Sequence, residues 1–275
     1  MTATIRLGFS PCPNDTFIFY ALANKKIDCR GLDFELVIDD VETLNQRAMK
    51  GDIEATKVSC HAYYYLRHEF RFLSSGGALG RGCGPLVVAR DARKFFFEKP
   101  LDQLTVAIPG RYTTAFLLLK LYFSESFNLR RVNTLSMPFH EIVGAVREGR
   151  ADAGLIIHES RFTYKEHGLA KVIDLGEWWE KETGLPIPLG GIVAAKSLGA
   201  EVIGTIEDLI RESIRYSLDH RDEVMPYLRH HAQELSGEVI MKHVALYVND
   251  YSIDIGDDGR AALDELLKRA ERLPL

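Results

Sequence analysis

Four short polar segments hold the residue types that could do chemistry: Ser10-Pro11-Cys12-Pro13-Asn14-Asp15-Thr16, Lys57-Val58-Ser59, Gly110-Arg111-Tyr112-Thr113-Thr114 and His158-Glu159-Ser160. His158 closes an apolar run, Ala153-Gly154-Leu155-Ile156-Ile157, where neighbouring side chains exclude water and a neutral imidazole can take a proton. A satisfied core histidine fits the same run. Thr113 and Thr114 precede the strongly helical Ala115–Leu121, whose positive dipole end and first-turn N–H groups suit a carboxylate or phosphate. A threonine cap with no ligand is the competing account. Lys57 and Ser59 offer a second polar anchor, set against a lysine that merely reaches from a strand to solvent. In the first segment two prolines push Ser10 and Cys12 toward extended geometry, and Asn14 or Asp15 is placed to cap the helix that follows. Cys12 lies near that helix start, which favours a thiolate nucleophile, yet no histidine adjoins it and a cysteine also packs well.

Each segment falls where an apolar strand pattern stops and a helix pattern begins. Ile5–Ser10 leads into a helix over Thr16–Asn24, Leu32–Asp39 into Glu42–Lys50, and Ala55–Ser59 into His61–His68. Phe72–Ser74 and Leu86–Ala89 flank a glycine-rich passage. The series resumes with Leu104–Ile108 into Thr114–Phe123, Val132–Leu135 into Phe139–Arg147, Ala153–Ile157 into Ser160–His167, and strand Ala170–Asp174. One more strand, Gly191–Ala195, precedes amphipathic stretches over Ile206–Asp219, Arg221–His231 with Gly237–Leu246, and Asp258–Arg272. Such alternation predicts an α/β architecture with parallel sheets, whose ligands bind at the carboxyl edges of the strands. The order Lys50-Gly51-Asp52-Ile53-Glu54-Ala55 recurs as Glu148-Gly149-Arg150-Ala151-Asp152-Ala153, and each glycine suits a left-handed helix C-cap. Two similar lobes facing a shared ligand cleft are the natural inference. Residues 1–89 with 190–275 would form the larger, discontinuous lobe and residues 90–189 the smaller.

Composition narrows the partners. A chain of 275 residues exceeds what one core normally organises, and 46% hydrophobic residues can fill two. A net charge of −5 with scattered Lys and Arg leaves no electrostatic footprint for nucleic acid. The apolar run Ala115–Leu119 falls far short of the ~20 residues that span a bilayer, so no membrane partner is expected. Strand pattern begins within a few residues of Met1, and no signal peptide is expected. The four cysteines form no C-x-x-C pair and the nine histidines no H-E-x-x-H, so no metal is expected and a reducing cytoplasm is the simplest home. Ser75–Pro85 is glycine-rich but lacks the G-K-[ST] ending of a phosphate loop. Oligomeric state stays open.

The blocks Ser10–Phe19, Asp40–Asn45, Ser75–Gly82, Pro109–Ala115 and Gly154–Tyr164 together closely resemble the 1,4-dihydroxy-6-naphthoate synthases of the futalosine route to menaquinone. The resemblance runs essentially from end to end. It implies a two-lobed type II periplasmic-binding-protein fold used as a cytoplasmic enzyme, with a ligand cleft between the lobes. It also implies a carbon–carbon lyase that converts cyclic dehypoxanthine futalosine, a small-molecule carboxylate, into 1,4-dihydroxy-6-naphthoate with no cofactor. By the same resemblance His158 is the proton acceptor, and Lys57, Val58, Ser59, Thr114 and Ala115 line the substrate; Asn14, at the first junction, joins them as a candidate contact. Tyr112 and Cys60-His61 depart from residues familiar in relatives, which bears on pocket shape. The alternative from another class is a solute-binding protein for a small aromatic carboxylate. A sister activity on the same scaffold, dehydration of chorismate or its derivative, is set apart by the Ile-Ile-His-Glu block.

Overall fold

The computed structural model describes residues 4–129, 131–232 and 236–273. In chain order the elements begin with β1 (Ile5–Phe9), α1 (Pro13–Ala23), β2 (Phe34–Ile38), α2 (Val41–Met49), β3 (Ala55–Ser59), α3 (Cys60–Leu66), β4 (Phe70–Phe72) and β5 (Ala78–Gly80). There follow β6 (Leu86–Ala89), α4 (Ala92–Phe95), β7 (Thr105–Ile108), α5 (Thr114–Phe127), β8 (Asn133–Ser136), α6 (Ile142–Arg147), β9 (Ala153–Ile156), α7 (Ser160–Thr163), β10 (Ala170–Asp174) and α8 (Leu175–Thr183). Last come β11 (Ile187–Ala195), α9 (Ala200–Asp219), α10 (Arg221–His231), α11 (Gly237–Tyr247), α12 (Asp250–Ile253) and α13 (Gly256–Ala270).

The chain divides into two compact units, Met1–Gly80 with Pro188–Arg260, and Arg81–Ile187 with Ala261–Leu275. Both divides precede the expected positions after residues 89 and 189, and residues 261–273 do not join the first unit. The reason is local. Leu86–Ala89, placed at the end of the first lobe by sequence, is a fully buried strand paired to β9 and β10 of the second unit. At the other end, Arg269 ion-pairs with Glu125 at 2.9 Å and its guanidinium lies 5.4 Å from the centre of the Trp179 ring.

The two sheets have one plan. In the first unit the order is β2-β1-β3-β11-β4, with β5 also on β11; in the second it is β8-β7-β9-β6-β10. β1 lies parallel to β2 and β3, and β7 parallel to β8 and β9, as strand–helix–strand crossovers require. The next strand in each sheet, β11 or β6, runs antiparallel to its neighbours, so the sheets are mixed where sequence predicts parallel ones. Neither strand is reached by a crossover from its neighbour. The repeated sequence order marks equivalent places: Gly51 (φ +72°) and Gly149 (φ +76°) follow α2 and α6 in the left-handed region and lead into β3 and β9.

In the first unit α1, past its polar first turn, is apolar on every side, with Phe17, Ile18 and Phe19 at most 1% exposed, because α9, α10 and α11 all pack on it. The stripe Ile206, Leu209, Ile210 and Ile214 of α9 therefore belongs to this core. In the second unit Leu86, Val88, Ala107, Ile142, Val146 and Ile156 form the corresponding cluster.

Candidate functional site

Because β1 and β3 are parallel neighbours, the loop after β1 and the end of β3 share one edge of the first sheet. Cys12 is the N-cap of α1 with no side-chain cap bond, and Pro13 occupies the first turn, where a missing N–H costs nothing. The expected capping by Asn14 or Asp15 does not occur, because Asp15 is otherwise engaged. Its Oδ2 accepts from the Ser10 N–H (3.2 Å) and hydroxyl (2.6 Å), and its Oδ1 accepts from Asn14 Nδ2 (2.8 Å). The same Oδ1 lies 3.0 Å from Lys57 Nζ, and the two side chains are only 2% and 6% exposed. Lys57 is thus a buried ion-pair partner, not a lysine reaching to solvent; Nζ also donates to Gly76 O at 3.4 Å.

The rest of this edge is fixed by amide contacts. The Ser59 N–H donates to Asn45 Oδ1 at 2.9 Å, and Asn45 Nδ2 donates to the Ser59 hydroxyl at 3.3 Å, tying α2 to the end of β3. Val58 is fully buried, paired across to Gly191 of β11. Asn14 Oδ1 lies 2.9 Å from Nε2 of His243, a fully buried ring on α11. Burial pushes the Cys60 thiol up to about 12, against a smaller opposing effect of the Lys57 charge.

The second unit repeats the arrangement, since β7 and β9 are also parallel neighbours. Thr113 is the N-cap of α5: its hydroxyl oxygen accepts from the Phe116 N–H (3.3 Å) while its proton goes to Gly110 O (2.8 Å). Thr114 and Ala115 open the helix, both buried, at the end where the dipole is positive. On the neighbouring strand β9 stops at Ile156, and His158 adopts the left-handed conformation (φ +55°) that non-glycine residues rarely occupy. Its ring is half-buried and meets the edge of Phe139 at 4.9 Å between centroids. It is not a core histidine.

The structure therefore brings Asn14, Lys57 and Ser59 together at one sheet edge, with Val58 behind them, and Thr114, Ala115 and His158 at the equivalent edge of the other sheet. Sequence reading missed Asp15 as the partner of Lys57, Asn45 as the clamp on Ser59, and His243. Ser10 and Asp15 lie in one polar turn beside buried apolar strands, which was the available signal for the first. Nothing local marks His243, which sits among Ile240, Val244 and other apolar residues of α11.

A sequence profile described as menaquinone biosynthesis matches residues 5–272. The chain is 49% identical to a 1,4-dihydroxy-6-naphthoate synthase from Thermus thermophilus, covering 97% of this chain and 94% of that protein. A protein of the same name from Streptomyces coelicolor is 44% identical, over 97% and 93%. Among solved structures, a protein from Archaeoglobus fulgidus superposes with a TM-score of 0.89 at 39% identity, covering 98% of this chain and 97% of the other. A Candida albicans protein, described as having the generic periplasmic binding protein fold, gives 0.67 at 13% identity over 99% and 92%. That likeness establishes the fold, with its α/β units, as sequence reading expected. On the sequence evidence, this chain belongs to the menaquinone biosynthesis family, beside the two 1,4-dihydroxy-6-naphthoate synthases.

Proposed function

We propose that the protein is a carbon–carbon lyase that converts cyclic dehypoxanthine futalosine into 1,4-dihydroxy-6-naphthoate, with His158 as the general base. The observation that carries this reading is the placement of His158, a half-buried imidazole directly after β9, held in a strained backbone conformation beside the β7–α5 junction. Strain of this kind persists where surrounding structure fixes it, and it gathers at functional sites. The base takes a proton from the carbon next to the substrate ketone. Elimination then opens the attached sugar ring, and the carbon–carbon bond breaks as the second ring becomes aromatic, which drives the sequence.

The remaining work is positional: hold the carboxylate, bring the acidic C–H to about 3 Å from a base, and stabilise the developing enolate with N–H or hydroxyl donors. Thr114 and Ala115 at the start of α5 are assigned to the carboxylate, and Asn14, Lys57, Val58 and Ser59 to the rest of the substrate. The reading places the enzyme in the cytoplasm, where thiols stay reduced; the four cysteines of the sequence form no C-x-x-C pair. The test is to mix purified protein with cyclic dehypoxanthine futalosine and follow 1,4-dihydroxy-6-naphthoate by absorbance and mass. Formation of the naphthoate is expected. Binding of the precursor without turnover would instead make the protein a carrier for an aromatic carboxylate.

A further inference from the structure

One buried titratable group of the first unit has no part in the mechanism above. His243 is fully buried on α11, between the Tyr247 ring (4.6 Å between centroids) and α1, and its Nε2 lies 2.9 Å from Asn14 Oδ1. The direction of this contact follows from chemistry. Asn14 Nδ2 faces Asp15 Oδ1 at 2.8 Å, and since a carboxylate only accepts, the nitrogen of the amide must be the end that points there. Oδ1 is then the end that meets the imidazole, so His243 carries its proton on Nε2 and donates.

A one-way chain results. His243 donates to Asn14, Asn14 donates to Asp15, and Asp15 holds the Lys57 ammonium at 3.0 Å. Every link is buried, with His243 at 0%, Asn14 at 6%, Asp15 at 1% and Lys57 at 5% exposure. In such a setting water does not substitute for a lost donor, so an Asn14 oxygen left without the His243 N–H shifts toward another donor. That shift draws Nδ2 away from Asp15 Oδ1, and the carboxylate, one donor poorer, resettles against the Lys57 ammonium.

We propose that His243 is a positioning residue for Lys57, acting through Asn14 and Asp15. The proposal rests on the reading above for what Lys57 does to substrate, but the placement of the ammonium can be measured without substrate. The experiment compares His243→Leu, His243→Phe and His243→Gln with Lys57→Met. The first two remove the donor with different shapes, so one folded variant suffices; glutamine restores an N–H donor.

The 15N signal of the Lys57 ammonium, identified by its loss in Lys57→Met, is expected to move in His243→Leu or His243→Phe and to return toward its original position in His243→Gln. With cyclic dehypoxanthine futalosine, KM is expected to rise about tenfold in the donorless variants, the worth of one buried hydrogen bond, with kcat changing less than about twofold and glutamine rescuing KM. An unmoved Lys57 signal in a folded donorless variant would overturn the proposal and leave His243 a packing residue. A moved signal with KM unchanged in both the His243 variants and Lys57→Met would uphold the relay while removing Lys57 from the substrate site.

Discussion

Lys57 Nζ and Asp15 Oδ1 are 3.0 Å apart in a place where neither side chain reaches solvent, and the two ends of this pair are unequally supported. The carboxylate also receives the Ser10 N–H, the Ser10 hydroxyl and the Asn14 amide, whereas among the described residues the ammonium has one further acceptor, Gly76 O at 3.4 Å. Removing the carboxylate strands a buried cation; removing the cation leaves a carboxylate that keeps three donors. Asp15→Ala is therefore expected to cost about 3–5 kcal/mol of stability, and Lys57→Met about half as much. Urea denaturation of the two variants checks the order, and equal losses would mean that the Ser10 and Asn14 donors contribute little.

His158 invites a pair of substitutions that separate chemistry from strain. His158→Ala should keep the fold and lower turnover about 100-fold or more, the usual contribution of a general base. Near-normal turnover would remove His158 from that role. Alanine at φ +55° retains the backbone strain that glycine relieves, so His158→Gly should be as inactive as His158→Ala yet more stable by roughly 0.5–1 kcal/mol. In a helix interior the order would be reversed, and thermal melts of the two variants show which holds.

The matched turns before β3 and β9 should respond alike. Gly51 and Gly149 have φ of +72° and +76°, so Gly51→Ala and Gly149→Ala are each expected to lose about 1 kcal/mol. A Cβ on Gly51 meets open space, while one on Gly149 would lie 3.1 Å from the Arg90 guanidinium, the end of a flexible side chain. The Gly149 variant should therefore be equal to or slightly worse than the Gly51 variant. Since the two positions lie in different units, the double variant should show the sum of the single losses.

Two buried thiols set an alkaline limit on stability. Desolvation pushes both Cys60 and Cys83 up to about 12 in the folded chain, against about 8.5 for an exposed thiol. Between roughly pH 9 and 12 the folded chain keeps these protons and the unfolded chain loses them, so stability falls as pH rises, by on the order of 1 kcal/mol per thiol per pH unit. Denaturation midpoints measured from pH 8 to 10.5 should fall less steeply in a Cys60→Ala, Cys83→Ala double variant than in the unsubstituted chain. Cys12, buried at the start of α1, should tolerate alanine with substantial activity; complete inactivation of a folded Cys12→Ala would make it a nucleophile.

Much of the fold was legible because its signals are local. The strand patterns at Ile5, Ala55, Leu104 and Ala153 run into helices at stop signals that depend on a few neighbouring residues, and Gly51 and Gly149 mark turns by the one property only glycine supplies. Strand sense was harder, since β6 and β11 look like any other apolar run and their antiparallel pairing depends on where the rest of the chain lies. α8 passed unread although Asp174 caps it through the Gly176 and Glu177 N–H groups, because no long periodic stretch follows. For the site, single residues at strand ends were visible and their partners were not. Lys57 reads as a surface lysine until Asp15 is placed beside it, and the contact from His243 to Asn14 joins residues from opposite ends of the chain.

The place of β11 between β3 and β4 has a consequence for synthesis on the ribosome. All strands of the second sheet, β6 to β10, have emerged soon after Asp174 is made, whereas the first sheet lacks an interior member until residues 187–195 follow. Until then β4 and β5 have no strand to pair with, and β3 presents a bare flank of N–H and C=O groups. A chain cut after residue 174 thus carries every strand of its later-made sheet and an unfinished earlier-made one, so the sheet begun first is completed last.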